Sequence, residues 1–279
     1  MAIKDILLAL RSYPEPTKAS VIEHAIAIAA ALDSHIAAVA CEIHIEIPSG
    51  LVSTSLLNVP GLIAAETHKS RANVHNLLTA FEATAARQGV GFESIRERSL
   101  SGEAPAMFVE YARLRDLTIV PAPEDHGQWC SEAIIFGSGK PTLVLPEVGS
   151  VPSFQLKTVL VAWDFSRAAA RAVADAIPLL ERARHVRVVT VTDEKPIDSK
   201  HSAEELAKNL SRHDLEVELD RIEAKGRTIG EAIEADAKSC DADLLVMGAY
   251  GHSRLREFIL GGATRSLLAK PPLPILFSH

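Results

Sequence analysis

The chain has 279 residues, of which 47% are hydrophobic and 23% are charged, and its formal net charge at pH 7 is -7. This length and hydrophobic content predict a folded protein with room for two ordinary domains, and they exclude a largely disordered chain. The charges are spread without a long basic run, which argues against an extended surface for nucleic acid or anionic membranes, so we expect a small partner.

The first predicted element is a buried strand in KDILLALRSY, residues 4–13. Because Lys4 and Asp5 precede only a short apolar run, we expect no secretory signal here, and no later stretch reaches the roughly 18 apolar residues of a membrane span. The sequence therefore predicts a cytoplasmic protein without a membrane partner. An alanine-rich segment with helical spacing follows, and a second strand, HIAAVACEI, begins at His35.

The middle of the first half holds an irregular loop and one long helix, predicted from about Leu62 to Gln88. A buried strand, DLTIVPA, begins at Asp116, and the closing strand, PTLVLP, begins at Pro141. The prolines and small residues of LPEVGSVPSFQ then predict a linker, with the domain boundary near Gly149.

The second half repeats this order. KTVLVAWDFS, which begins at Lys157, matches the first strand at an offset of 153 residues. DLLVMGA from Asp243 and PILFSH from Pro274 match the later strands at offsets of 127 and 133 residues. Five strands alternating with four helices are therefore predicted twice, in a first domain of residues 1–149 and a second of residues 150–279.

Apolar strands separated by amphipathic helices predict a parallel sheet that helices cover on both faces. The predicted fold class is therefore α/β, with two tandem doubly wound domains related by an internal pseudo-twofold. The change of offset from 153 to 127 places about 26 extra residues in the first domain, in its inserted loop and long helix. This insertion is a candidate lid or interface arm.

Four glycines follow a predicted strand of the second half, in MGAYGHSRLREFILGGATRSLL. In doubly wound sheets, ligands bind beyond the carboxyl ends of the strands. Gly248 and Gly251 fall there, and a glycine lets a phosphate approach backbone N–H groups that a β-carbon would obstruct. Gly261 and Gly262 are predicted to open the last helix, whose N-terminus favours an anion, and Thr264 offers a hydroxyl donor. The alternative is that these glycines permit a tight turn and close helix packing.

The spacing resembles that of the ATP-binding universal stress proteins, in the tandem form of this Rossmann-like family. Those members carry Gly, two residues, Gly, nine residues, and Gly followed by Ser or Thr. This chain matches at Gly248, Gly251 and Gly261 and departs at Gly262, where the hydroxyl is absent. The resemblance in the order of strands and helices covers both halves, whereas the glycine motif is found only in the second half. It implies a stress-response or signalling protein that binds ATP or AMP, with or without Mg²⁺, and hydrolyses it slowly at most.

The resemblance also implies roles for residues around the nucleotide. Asp164 is expected to accept hydrogen bonds from the ribose hydroxyls. Arg254 is expected to approach the phosphates, a role that Arg265 on the last helix could fill equally well. The other candidates flank the nucleoside or the phosphates: Ala162, Trp163, Val191, Met247, His252 and Ala263. The alternatives are an N-cap role for Asp164, core packing for Val191 and Met247, and a solvated position for Arg254.

The first half lacks the motif. Pro121 and Glu124 stand where the second half has Gly248 and Gly251, and Arg11 replaces the aspartate. Proline has no N–H to offer and Glu124 would repel phosphate, so we expect no nucleotide site of this type there. The glycines at 137 and 139 are expected to end a helix rather than to bind an anion.

A second function class stays open, an interaction module of the same fold whose glycines serve packing, and Gly262 in the hydroxyl position supports it. The sequence carries no nucleophile signature such as GxSxG, and no catalytic residue is assigned. Glu42, His44 and Glu46 alternate along one strand but are more typical of a solvated strand end than of a metal site. The three cysteines are too far apart to suggest a disulfide framework.

Assembly is expected to involve the closing strands of the two halves. Each strand would leave a bare sheet edge on its own. The family resemblance implies that such strands associate, which in a tandem chain gives an intramolecular pseudo-dimer. The long helix of the first half offers a surface through which a homodimer could form.

Overall fold

The computed structural model describes residues 2–44, 59–100, 102–123, 128–147, 154–193, 202–249, 251–252 and 259–279. The predicted boundary near Gly149 and the loop before the long helix lie outside these ranges.

The described residues of the first half alternate between strand and helix as predicted. In chain order these elements are β1 (Asp5–Leu10), α1 (Ala19–Leu32), β2 (His35–His44), α2 (Val59–Gln88), β3 (Phe92–Leu100), α3 (Ala104–Arg113), β4 (Leu117–Pro121), α4 (Gln128–Gly137) and β5 (Thr142–Leu145). The helix α4 ends at the first of the two glycines predicted to end it.

The second half has the same order with one addition, a short hairpin before the last helix. Its elements are β6 (Thr158–Ala162), α5 (Arg167–Leu180), β7 (His185–Val191), α6 (Ser202–Ser211), β8 (Val217–Ile222), α7 (Ile229–Ser239), β9 (Leu244–Gly248), β10 (Gly251–His252), β11 (Ile259–Leu260), α8 (Gly262–Ala269) and β12 (Ile275–Ser278). As predicted, α8 begins at the paired glycines.

Ten strands form one sheet, in the order β3-β2-β1-β4-β5-β12-β9-β6-β7-β8. Each half is doubly wound, because its first strand lies inside and the chain proceeds to one side of it and then to the other. The closing strands β5 and β12 pair antiparallel, with Leu143 opposite Leu276, and the other neighbouring pairs run parallel. The predicted fold class and the meeting of the closing strands are thus confirmed.

The sheet separates two layers of core. Successive side chains of a strand point to opposite faces, so Ile6 and Leu8 of β1 join the layer under α1, α2, α5 and α6. Leu7 and Ala9 join the layer under α3, α4, α7 and α8. Because both faces are covered, the inner strands consist mostly of continuous apolar residues, whereas the edge strands β3 and β8 also carry charged ones.

An aspartate that precedes a strand has the same contacts in each half. The Oδ2 atom of Asp116 accepts hydrogen bonds from the backbone N–H of Lys4, at 2.9 Å, and of the next residue. The Oδ2 atom of Asp243 accepts from the N–H of Lys157, at 2.7 Å, and of the next residue. These bonds hold the beginnings of equivalent strand pairs together, and they support the internal repeat.

The long helix α2 starts three residues before the predicted Leu62 and ends at the predicted Gln88. Its earlier start is compatible with Pro60, since proline is tolerated in the first turn of a helix. The buried side chains of Val74 and Phe81 pack in the core layer that α2 shares with α1, whereas Leu62 is 60% exposed. The corresponding helix of the second half, α6, has only ten residues, which accounts for most of the insertion.

Candidate functional site

Three strands of the second half end at the point where the strand order reverses. The chain runs outward from β6 to β7 and then returns to β9 on the other side of β6, and a ligand crevice opens at such a place. Ala162 ends β6, Val191 ends β7 and Gly248 ends β9. The sheet therefore brings the predicted nucleoside residues of these strands to one edge.

Gly248 lies against the first turn of α5. A β-carbon at this position would be 2.5 Å from the carbonyl carbon of Ala168 and 2.5 Å from the backbone nitrogen of Ala169. Glycine is therefore required here for helix packing, which is the alternative considered for it above. The approach of a phosphate is not needed to explain this residue.

Within the described part of the chain, no side chain caps the start of α8. Gly261 is its N-cap residue, with extended backbone angles of φ -61° and ψ 147° and no capping side chain. Gly262 is exposed, and no heavy atom of the described residues lies within 4 Å of a β-carbon built there. Roughly the first four N–H groups of a helix have no partner within it, and the half-buried Ala263 supplies one of them. Thr264 is only 2% exposed, so its hydroxyl presents little surface to a ligand.

The short hairpin of β10 and β11 brings Gly251 close to the glycines at the start of α8. Gly251 pairs with Leu260 and His252 pairs with Ile259, in antiparallel register. Leu260 directly precedes Gly261, so the second glycine of the motif lies beside the start of α8 although ten residues separate them in the chain. Arg254 lies outside the described residues.

Asp164 follows β6 and is exposed. Its Oδ1 atom accepts a hydrogen bond from the backbone N–H of Ser166 at 2.9 Å. The N-cap alternative for Asp164 is wrong, because Ser166 has the cap position and its side chain accepts from the N–H of Ala169 at 3.1 Å. The intervening Phe165 has a left-handed φ of 61°, and this turn delays the start of α5 by two residues.

Two aromatic side chains flank Asp164 in sequence, and they differ in exposure. Trp163 is 7% exposed and belongs to the core layer under α5, opposite to the layer that Ala162 contacts. The structure therefore does not bring Trp163 to the same face as Ala162. Phe165 is 55% exposed, and its ring meets that of Trp163 edge to face at 6.0 Å. Sequence reasoning did not select Phe165, although an aromatic residue directly after the candidate carboxylate was a visible signal.

Met247 and Val191 belong to the layer that α7 and α8 cover. Met247 is 5% exposed within this core, as its core-packing alternative predicted. Val191 is half-buried and packs against the same cluster from the end of β7. The wall beside Ala162 is therefore apolar, whereas the start of α8 presents backbone N–H groups, so the crevice has an apolar part and an anion-attracting part.

Known proteins resemble this chain in the sequence of its second half and in its overall fold. Residues 155–279 match the model of the universal stress protein family. The C-terminal half is a universal stress protein domain. A universal stress protein from Synechocystis is 33% identical over 154 residues, which cover 52% of this chain and 49% of that protein. The chain thus spans about half the length of the curated relative it matches.

Solved structures share the fold over nearly the whole chain. A universal stress protein from Archaeoglobus fulgidus aligns with 98% of this chain and 95% of its own, at 15% identity and a TM-score of 0.70. A functionally unknown protein from Pseudomonas aeruginosa aligns with 99% of this chain and 92% of its own, at 15% identity and a TM-score of 0.61. At these identities the likeness concerns the fold, and it is consistent with two tandem domains.

Asp193 is a further residue at the edge of the universal stress protein domain's site that sequence reasoning missed. Its carboxylate accepts from the backbone N–H of Ala224 at 2.7 Å and of Lys225 at 3.0 Å. Both hydrogen bonds lower the pKa of the Asp193 carboxyl below its usual value, and the bond from Ala224 has the larger effect. These bonds join the loops that follow β7 and β8. Their signal in the sequence was an aspartate just beyond the end of a strand.

In the first half, Arg11 occupies the position equivalent to Asp164. One of its terminal nitrogens lies 2.8 Å from Oε1 of Glu147, and both side chains of this pair are nearly buried. The guanidinium also donates to the carbonyl oxygens of Glu15, at 2.9 Å, and Ala122, at 3.2 Å. An ion pair therefore crosses the strand ends where the universal stress protein domain has its crevice.

The polar strand end in the first half is held by ion pairs. Oε2 of Glu42 lies 2.9 Å from Nε of Arg98, and Oε1 lies 3.6 Å from Nη1 of Arg96. His44 is exposed, and Glu46 lies outside the described residues. Within the ranges described, no group of three or more His, Cys, Asp and Glu residues could hold a metal ion. No helix in the same ranges is both long and apolar enough to cross a membrane.

Proposed function

We propose that the universal stress protein domain binds an adenine nucleotide, ATP or AMP, and that the protein acts in stress response or signalling with at most slow hydrolysis. The observation that carries this proposal is the bare start of α8. Gly262 has free space around its α-carbon among the described residues, at the helix N-terminus where a phosphate is most stable.

The phosphates would be held by backbone rather than by side chains. The N–H groups of Gly262 and Ala263 belong to the first turn of α8, and the pairing of Gly251 with Leu260 places the hairpin beside them. The helix dipole adds roughly half a positive charge to this end. Thr264 is buried, so we expect it to contribute its N–H group rather than its hydroxyl. Bound Mg²⁺ would neutralise part of the phosphate charge.

The nucleoside would lie across the strand ends. Ala162, Val191 and Met247 form the apolar wall that suits a base. Asp164 is exposed at the end of β6, where a carboxylate can accept hydrogen bonds from ribose hydroxyls while remaining away from the phosphates. His252, on the hairpin, and Arg254, which lies outside the described residues, are the candidates for covering the phosphates.

A second candidate function is an interaction module of the same fold that binds no nucleotide. The packing of Gly248 against α5 favours this candidate, since one glycine of the motif then has a structural reason of its own.

With either function, a homodimer through α2, where Leu62 is exposed, remains part of the proposal, and light scattering of the purified chain tests it.

Thermal melting with and without Mg-ATP separates the two functions. A ligand that binds only the native state stabilises it by about 2.7 kcal/mol at a concentration of 100 Kd, so the melting temperature rises if the site binds nucleotide. Gly262→Asp should abolish this rise, because it places a negative charge where the phosphate would bind. Gly262→Ser should keep the rise, since the described surroundings leave room for the hydroxyl.

Gly102→Asp is the matched control. It makes the same change of charge in the first half, where again no heavy atom of the described residues lies within 4 Å of the new β-carbon. It should melt like the wild type with and without Mg-ATP. A wild-type melting temperature that Mg-ATP leaves unchanged would favour the interaction module, and an unaltered response in folded Gly262→Asp would reject the site.

A further inference from the structure

A cavity of about 80 Å³ lies in the first half, at the carboxyl ends of β1, β2 and β4. It opens at the point where the strand order of this half reverses, and α3 and α4 form its sides. Its wall is largely apolar and includes Ala9, Cys41, Phe108, Val120, Cys130 and Ile134. Close-packed interiors leave few voids larger than a water molecule, so a space of this size at a ligand-binding position calls for an explanation.

The cavity is the counterpart of the proposed nucleotide site. Equivalent strands pair in the same register, with Asp5 opposite His35 in the first half and Thr158 opposite His185 in the second. This register and the sequence offsets match four wall residues with candidates of the second half: Ala9 with Ala162, Cys41 with Val191, Val120 with Met247, and Ser131 with Thr264. The first half has therefore kept the apolar wall and has lost the glycines.

The polar groups of the cavity are neutral or already paired. Arg11 is held by Glu147 and by backbone carbonyl oxygens. The hydroxyl of Ser12 donates to the carbonyl oxygen of Cys41 at 2.5 Å. Burial raises the pKa of the Cys41 thiol to about 11 and that of the Cys130 thiol to about 12, so both thiols stay protonated at neutral pH. An anion would find no unpaired positive charge among these groups.

We propose that this cavity binds a small neutral molecule that inserts an apolar group between the strand ends and α4. An engineered apolar cavity of about 150 Å³ holds a whole benzene ring, so a space of 80 Å³ takes part of one ring or a short branched alkyl group. The rest of the molecule lies at the mouth, beside Arg11 and Tyr13. The chain would then carry one site for a charged ligand and one for a neutral ligand at equivalent positions.

Fluorobenzene is the probe for this site, observed by ¹⁹F NMR in a titration with the full-length chain. We expect saturable binding of one molecule per chain. Ala9→Leu adds three carbon atoms to the cavity wall and should weaken binding at least tenfold. Cys130→Phe fills the cavity from α4 and serves as a second variant in case the first does not fold. Ala162→Leu, the same change at the equivalent position of the second half, should leave fluorobenzene binding unchanged.

Three results would overturn this proposal. The first is no saturable binding to the wild-type chain. The second is unchanged binding to whichever of Ala9→Leu and Cys130→Phe is folded, since each removes space from the cavity. The third is loss of binding on addition of Mg-ATP or in a folded Ala162→Leu variant, which would place fluorobenzene in the second half. Failure of ATP binding in the wild type has no bearing on these outcomes, so the two proposals fail separately.

Discussion

Gly248→Ala tests whether the first glycine of the motif is kept for packing. The new β-carbon would lie 2.5 Å from two backbone atoms of α5 and 2.9 Å from the β-carbon of Ala168, whereas ordinary contacts begin at 3.4 Å. Either α5 or β9 must therefore move by about 0.9 Å. Backbone atoms cannot rotate away as the end of a side chain can, so the whole first turn of the helix is displaced.

The expected cost follows from what α5 buries. Ala169, Ala172 and Val173 are nearly inaccessible to solvent on this helix, and a displacement disturbs their packing against the sheet. Forcing extra atoms into a well-packed core costs about 1–3 kcal/mol. We expect Gly248→Ala to lower the free energy of unfolding by that amount in the absence of nucleotide.

Urea unfolding followed by circular dichroism measures this difference, provided that the slope with denaturant is the same for both proteins. Gly262→Ala is the matched control, because no described heavy atom lies within 4 Å of its new β-carbon. Its free energy of unfolding should stay within about 0.5 kcal/mol of the wild-type value. A Gly248→Ala variant as stable as the wild type would refute the packing argument.

Three further changes test the energetics of the fold. Arg11→Met should cost about 3 kcal/mol in urea unfolding, because it leaves the nearly buried Glu147 paired only with the exposed Lys18 among the described residues; Arg11→Met combined with Glu147→Leu should recover most of this loss, and no recovery would contradict the pairing. Burial raises the pKa of the Asp236 carboxyl, so the native state binds more protons and wild-type stability rises as the pH falls through the raised pKa. Asp236→Asn should therefore raise the melting temperature at pH 7, and this gain should shrink towards acid pH. A gain that grows towards acid pH would contradict the raised pKa of Asp236. Thr228→Ala removes the reciprocal cap of α7 with Glu231 and should cost about 1 kcal/mol, whereas Thr228→Ser should not.

The fold could be predicted almost completely from the sequence, because its signals are local and occur twice. The inner strands are mostly continuous apolar runs, and the offsets between the halves located the insertion and matched the first strand and the last two strands of each half. The closing strands were expected to meet, and Leu143 lies opposite Leu276. The start of α2 was placed three residues late, since its first turn contains Pro60 and Gly61, a pair of residues typical of loops.

The candidate site was less accessible to sequence reasoning, because its details depend on contacts between distant residues. Glycine is required at position 248 because the first turn of α5 packs against it, and that turn lies some 80 residues earlier in the chain. The cap of α5 is displaced to Ser166 by the left-handed conformation of Phe165, which no residue type at this position announces. Trp163 lies on the opposite face of the sheet from Ala162 because side chains alternate along a strand.

The cavity of the first half could likewise not be predicted from the sequence. Its apolar wall residues are typical of ordinary core in the sequence, and only Arg11 and Pro121 among the lining residues signal that this half has changed. Arg11 pairs with Glu147 across the ends of the strands. The two residues are 136 positions apart in the chain, so no local sequence pattern predicts their contact. Only the fold shows that Glu147 joins Arg11 at the position equivalent to the proposed nucleotide crevice.

Isothermal titration calorimetry of the full-length chain with Mg-ATP tests most directly whether the backbone N–H groups at the start of α8 bind a phosphate. We predict one binding event per chain, lost in Gly262→Asp and retained in Gly102→Asp. The absence of binding heat over a range of temperatures, or equal binding by Gly262→Asp, would contradict this account of the glycines. Two equivalent sites per chain would contradict the account of the first half.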